Sequence, residues 1–265
     1  MLLAIDIGNS TIGLGLFPEP GLNNRVIIEK IPTYPLKPPE AFNKIIRSFM
    51  RRNTVTAPGR PRIRHKTPLS TVEAVIASVV PAANKALIRS LKELYGTRPI
   101  MVKHTGLAFS VREPEKVGAD RIANAVAVSQ TIKGPAAIVD FGTATTISVV
   151  DGRGVFIGGA IMPGVELMKK ALCAGTARLP DAPLRARSGA LGKDTASAIS
   201  LGIISGTAKA VEGLLKDMEK GLGFKLKLFL TGGHAALMSP VFNRRHRLVF
   251  DLTFQGMRLI YLKEK

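Results

Sequence analysis

Cysteine is almost missing from the 265 residues. Cys173 stands alone, so no intrachain disulfide can form and a disulfide-built framework is excluded. Tryptophan is absent and tyrosine occurs three times. No apolar run approaches the roughly 18 residues a membrane span needs; the longest, Ala74 to Ala83, is broken by Ser78 and Pro81. The opening apolar residues meet Asp6 without a basic leader, which argues against a signal peptide. These gaps predict a soluble, cytoplasmic protein with no membrane partner. Zinc chemistry lacks its ligands, because His65, His104, His234 and His246 are scattered without metal spacing. A Walker-type phosphate loop fails as well: Gly192-Lys193 is followed by Asp194, and no glycine stands five residues earlier.

Negative charge is scarce too, with 19 acids against 38 bases and a net charge of +19. Between Ala41 and Val72 there is no acid at all, while Lys44, Arg47, Arg51, Arg52, Arg60, Arg62, Arg64 and Lys66 supply eight positive charges. Arg244, Arg245 and Arg247 form a second cluster. Such a field attracts polyanions. The run holds one aromatic, Phe49, and no nucleic-acid-binding motif surrounds it. A solvated basic loop over residues 51–67 is therefore expected, and nucleic acid is a minor alternative partner.

What is present is an internal repeat. Ala4-Ile5-Asp6-Ile7-Gly8-Asn9-Ser10-Thr11 near the start is echoed by Ile138-Val139-Asp140-Phe141-Gly142-Thr143-Ala144-Thr145, 134 positions later. Apolar runs flank both copies, so each reads as strand, tight turn, strand. Between and after them strands alternate with helical patterns: Phe42, Ile45, Ile46 and Phe49; Leu87, Ile88, Leu91 and Leu94; a helix opened by Asp120; and a long one from Thr195 to about Lys220. The chain reads as α/β with mixed sheets in two related halves, divided as 1–117 and 118–265. A chain of this length can bury a large core without staples.

The repeated turns carry the chemistry. Gly8 and Gly142 let the backbone turn sharply and approach a ligand. Asn9, Ser10, Thr11, Thr143 and Thr145 add short polar side chains to backbone N–H groups, a donor set suited to phosphate oxygens. Asp6 and Asp140, near the end of the first strand in each copy, would repel phosphate directly but can hold a bridging cation, a role that suits magnesium. Gly232-Gly233 after a late strand adds a third turn, suited to an adenosine. Two phosphate turns and a late Gly-Gly turn are the recurring parts of actin-like kinases and ATPases. A transfer of phosphate also needs a group that takes the acceptor hydroxyl's proton. Gly118-Ala119-Asp120-Arg121 sets a carboxylate beside a guanidinium where a loop becomes a helix. Asp120 is either that base or a helix cap, and Arg121 either a carboxylate grip or a surface charge.

Six ordered motifs then make the sequence recognisable: Asp6-Ile7-Gly8-Asn9, Gly118-Ala119-Asp120-Arg121, Asp140-Phe141-Gly142-Thr143-Ala144-Thr145-Thr146, Gly158-Gly159-Ala160-Ile161-Met162-Pro163-Gly164, Thr176-Ala177-Arg178-Leu179-Pro180 and Gly192-Lys193-Asp194-Thr195. The chain resembles the type III pantothenate kinases along its whole length. That resemblance implies two ribonuclease-H-like (actin-like ATPase) subdomains and ATP-dependent phosphorylation of pantothenate to 4′-phosphopantothenate, the first step of coenzyme A synthesis. It implies that Asp120 accepts the proton, that Gly118, Ala119, Asp120, Arg121 and Thr195 contact pantothenate, and that Asp6, Ile7, Gly8, Asn9, Ser10, Thr11 and Thr143 contact ATP. It also implies a monovalent cation, K+ or NH4+, at Asp140, a divalent cation such as Mg2+ with ATP, and a homodimer. Where the family usually carries a tyrosine upstream of Gly118, this chain has Phe109-Ser110-Val111-Arg112. Two alternatives differ in function: an actin-like-fold kinase of another hydroxy acid, and a non-catalytic regulator that binds nucleic acid.

Overall fold

The computed structural model describes residues 1–21, 25–54, 72–104, 106–186 and 189–265. In chain order these form β1 (Leu2–Ile7), β2 (Thr11–Phe17), β3 (Ile27–Pro32), α1 (Pro39–Thr54), β4 (Glu73–Ser78), α2 (Pro81–Tyr95), β5 (Ile100–Met101), α3 (Ala119–Thr131), β6 (Ala136–Phe141), β7 (Ala144–Val150), β8 (Phe156–Pro163), α4 (Val165–Gly175), α5 (Thr195–Ser200), α6 (Gly206–Leu222), β9 (Lys227–Thr231), α7 (Ala235–Met238), β10 (His246–Leu248) and α8 (Leu252–Glu264). Most of the expected basic loop 51–67 lies outside the described residues; Arg51 and Arg52 close α1, and Arg52 is paired with Glu29 at 2.7 Å.

The residues group into two units. The first comprises 1–107, 113–127 and 251–265, and the second 108–112 and 128–250. The expected division at 117/118 is corrected on three counts: the start of α3 and all of α8 join the first unit, and residues 108–112 join the second. Specific contacts accompany each exchange. Thr253 Oγ1 donates to Asn124 Oδ1 at 2.9 Å, and Gly256 lets α8 close on the backbone of Ala123. Ser110 N–H donates to Phe156 O and Phe156 N–H to Ala108 O, both at 2.8 Å, so 108–110 lies along the start of β8.

In the first unit a five-stranded sheet has the order β3-β2-β1-β4-β5. β1 pairs antiparallel with β2 and parallel with β4. β1 is buried at every position but Asp6, the near-continuous apolar run of a strand covered on both faces. Leu3, Ile5 and Ile7 join the core formed with Phe42, Ile46 and Phe49 of α1 and Leu87 and Leu91 of α2. Side chains alternate along a strand, so Ala4 and Asp6 face the other way, with Gly13 and Gly15 opposite them in β2. There α8 supplies Phe254: a Cβ at Gly13 would meet its ring at 2.8 Å, and one at Gly15 at 2.7 Å or less.

The second unit repeats this plan. Its sheet runs β10-β9-β6-β7-β8, with β6 antiparallel to β7 and parallel to β9. Ala137, Val139 and Phe141 of β6 face a core containing Val165, Ile199, Ile203, Val211 and Leu215, so Asp140 faces away from it as Asp6 does in β1. α5, a π-helical stretch (Leu201–Ser205) and α6 form one run, 195–222, long and apolar enough by composition to cross a membrane. Its apolar side is accounted for by burial in this core.

Candidate active site

The first turn is set by register. Ile7 pairs with Ile12, leaving Gly8, Asn9, Ser10 and Thr11 to make the reversal. Gly8 N–H donates to Thr11 O at 3.0 Å, closing it. Asn9, Ser10 and Thr11 are exposed, and Asp6 is half-buried at the strand end. Thr33, just beyond β3, is fully buried and bonds to this turn twice: its hydroxyl donates to Gly8 O at 2.6 Å and its N–H to Ser10 O at 3.1 Å. Sequence reading missed Thr33, because a threonine between a strand and Pro35 has no distinguishing pattern.

The acceptor segment reaches the same end of the same sheet. Val79, next after β4, donates its N–H to Ile7 O at 3.0 Å, and a Cβ on Gly118 would touch Val79 Cγ1 at 3.6 Å. Gly118, Ala119, Asp120 and Arg121 are thus brought beside the strand end that carries Asp6. Asp120 sits in the first turn of α3, where a carboxylate meets the positive end of the helix. Its Oδ1 accepts from Arg121 N–H at 2.8 Å and fills the place of the missing Gly118 side chain, 2.6 Å from an ideal Cβ. Burial pushes the Arg121 guanidinium below its ordinary pKa while neighbouring Asp120 draws it back up; an arginine remains cationic under such opposing effects.

In the second unit Phe141 pairs with Thr145, so only Gly142, Thr143 and Ala144 turn, and Gly142 N–H donates to Ala144 O at 3.1 Å. This turn is one residue shorter than the first. The alignment of Thr11 with Thr145 is therefore corrected: by register Thr145 matches Ile12. It is fully buried with its hydroxyl unpartnered, and it is no phosphate donor. Thr143 is exposed at the tip. Two glycines let other segments close on it. Gly164 N–H donates to Thr143 O at 3.1 Å, and a Cβ there would lie 2.5 Å from Gly142 O. Gly232, at φ 98°, would set a Cβ 2.6 Å from Phe141 N and against Asp140 Oδ1. His234 N–H donates to Phe141 O at 3.0 Å. The late Gly232-Gly233 turn thus touches the second phosphate turn, and the Asp140 carboxylate has glycine backbone on two sides.

The remaining residues that the sequence singles out lie on other segments. Thr195 is exposed at the start of α5; the cap is Asp194, which accepts from Ser197 N–H at 2.8 Å in a reciprocal capping box. Cys173 is partly exposed and donates to Pro180 O. Arg244 of the second basic cluster is engaged with Glu219 and Leu226 O. Phe109 packs on Phe156, ring centroids 5.5 Å apart, and Val111 lies 4.0 Å from an ideal Cβ of Gly158, so the segment lacking a tyrosine lines the start of β8. Among the described residues no three His, Cys, Asp or Glu side chains gather into a metal-binding group.

A family model described as type III pantothenate kinase matches residues 2–217. The chain belongs to that family. It is 35% identical to the type III pantothenate kinase of Moorella thermoacetica, with 98% of each chain covered. In fold it is similar to a conserved Campylobacter jejuni protein assigned to a Baf family of transcriptional activators (20% identity, TM-score 0.60, 99% of this chain and 98% of that one). It is also similar to a Sinorhizobium meliloti protein assigned as a 2-dehydro-3-deoxygalactonokinase (15% identity, TM-score 0.58, 100% and 99% covered). The fold is that of the actin-like ATPases and sugar kinases, α/β with two mixed sheets flanked by helices. In type III pantothenate kinase terms, the six motifs fall on both turns, the acceptor segment, β8, the stretch after α4 and the approach to α5.

Proposed function

We propose that this chain catalyses ATP-dependent phosphorylation of pantothenate to 4′-phosphopantothenate, the entry to coenzyme A synthesis. One observation carries the reading beyond family membership: within the first unit a carboxylate, Asp120, and an exposed glycine turn following Asp6 occupy one end of one sheet. Phosphoryl transfer needs positioning, charge stabilisation and a proton acceptor, and little else. On this reading Asp120 takes the proton from the 4′-hydroxyl as its oxygen bonds to the γ-phosphorus and the bond to the β-phosphate oxygen breaks, releasing ADP. Arg121 pairs with the pantothenate carboxylate through its planar donor fork; Gly118, Ala119 and Thr195 complete that contact. Residues Asp6 to Thr11 and Thr143 hold the triphosphate.

Asp140 fits a cation. Its carboxylate lies against two glycines, Gly142 and Gly232; it would hold K+ or NH4+. Asp6 would hold a divalent ion through phosphate, since such ions bind through one or two carboxylates plus phosphate oxygens. When bound, these cations offset charge on the phosphate oxygens. We further place the enzyme in the cytoplasm as a homodimer.

The test is an assay with ATP, pantothenate, magnesium and potassium on wild type and Asp120→Asn. The variant should lose about 10²–10⁴ in turnover and keep its affinity for ATP. Near-normal turnover removes Asp120 from the mechanism, and preference for another hydroxy acid changes the acceptor. Omitting K+ and NH4+ should depress the rate; indifference to both would remove the Asp140 assignment.

A further inference from the structure

We propose that Thr33 is the positioning residue of the first phosphate turn, orienting its N–H donors toward the nucleotide. This rests on reading residues 6–11 as an ATP-phosphate loop. A phosphate cradle works only if N–H groups, and not carbonyl oxygens, face the ligand. The turn consists of four exposed or half-buried residues, and its internal backbone bond, Gly8 N–H to Thr11 O, does not orient the Gly8 and Ser10 carbonyls. Thr33 orients both. Its hydroxyl takes up Gly8 O at 2.6 Å and its N–H takes up Ser10 O at 3.1 Å.

A trans peptide is planar, and its C=O and N–H point in opposite directions. Fixing Gly8 O toward Thr33 therefore aims Asn9 N–H away from it, and fixing Ser10 O does the same for Thr11 N–H. A third carbonyl of the turn, Thr11 O, is held by Gly8 N–H. Thr33 is itself fully buried and sits next to Pro32, which pairs with Thr11. The anchor is thus a fixed point of the sheet and not a mobile loop residue. The hydroxyl is supplied by a side chain, so it can be removed without touching the strand pairing.

Thr33→Val keeps the shape and deletes the donor. One hydrogen bond corresponds to about a fivefold change in an equilibrium constant, so KM for ATP should rise about fivefold or more with KM for pantothenate unchanged. Titration with ATP and with adenosine separates positioning from general loosening: only the phosphate-bearing ligand should bind less tightly. Thr33→Ser, which restores the hydroxyl, should return KM for ATP to within about twofold of wild type. Should Thr33→Val not fold, Thr33→Cys, a weak donor, carries the same comparison. The proposal is overturned if the folded variant keeps its ATP affinity while losing thermal stability, or if ATP and adenosine weaken equally. A wild type that binds ATP but ignores pantothenate would sink the acceptor assignment and leave the Thr33 comparison intact.

Discussion

Gly118 and Asp120 share one small volume, because the Asp120 carboxylate occupies the place where a Gly118 side chain would be. Gly118→Ala therefore meets only the movable end of a side chain. The carboxylate shifts while the helix stays, so turnover should fall about ten- to a hundredfold with the melting temperature nearly unchanged. Steady-state kinetics beside a thermal melt checks this, and an unperturbed kcat would show the carboxylate has room to spare. At this scale the sequence was legible where chemistry repeats: Asp6 with Gly8 and Asp140 with Gly142 stand out because each pair recurs in the same strand context. Thr33 was illegible because its role depends on register, which brings Pro32 opposite Thr11. Thr145 misled for the same reason, since a turn shorter by one residue moves its side chain from the ligand face to the core face.

Among the elements, α8 and β2 meet through a ring set into two missing side chains. Gly15→Ala drives a methyl into Phe254, which is almost fully buried and cannot swing aside. It should cost about 1–3 kcal/mol in chemical denaturation, and Phe254→Ala about 3–5 kcal/mol. Combined with a smaller Phe254→Leu, Gly15→Ala should cost less than the sum of the two single changes, since the pair shares one space. Full additivity would mean that the two elements do not touch as described. Periodicity located α1, α2, α3 and the long run of α5 and α6, since burial imposes a period of 3.6 on apolar helix residues. It did not announce β10, three residues of which two are charged or polar. α8 was missed for another reason: it lies in the second half of the sequence, and its partners are β1, β4 and α3 in the first.

Across the whole molecule, the two sheets share one strand order and one set of strand directions, so the repeat seen in two short motifs extends to each entire unit. Global stability should depend on pH through Glu219. Burial alone would raise its pKa, but Leu226 N–H, Arg244 and Lys225 outweigh that and hold the carboxyl below the ordinary glutamate value. The folded value is the lower one, so the stabilisation is complete above the unfolded pKa of about 4.3 and is lost as pH falls through the folded value. Denaturation series between pH 3 and 7 should show this acid limb in wild type and a flatter one in Glu219→Gln, which is also the weaker protein at neutral pH. An identical limb in both would assign the acid sensitivity to other carboxylates. The return of α8 has one more consequence. On the ribosome, β1 to β5 emerge early, yet the helix that covers Gly13 and Gly15 is translated only after the whole second unit. The nascent first unit must wait with that face uncovered until the second unit has been made, so the portion synthesised first is the last to finish folding.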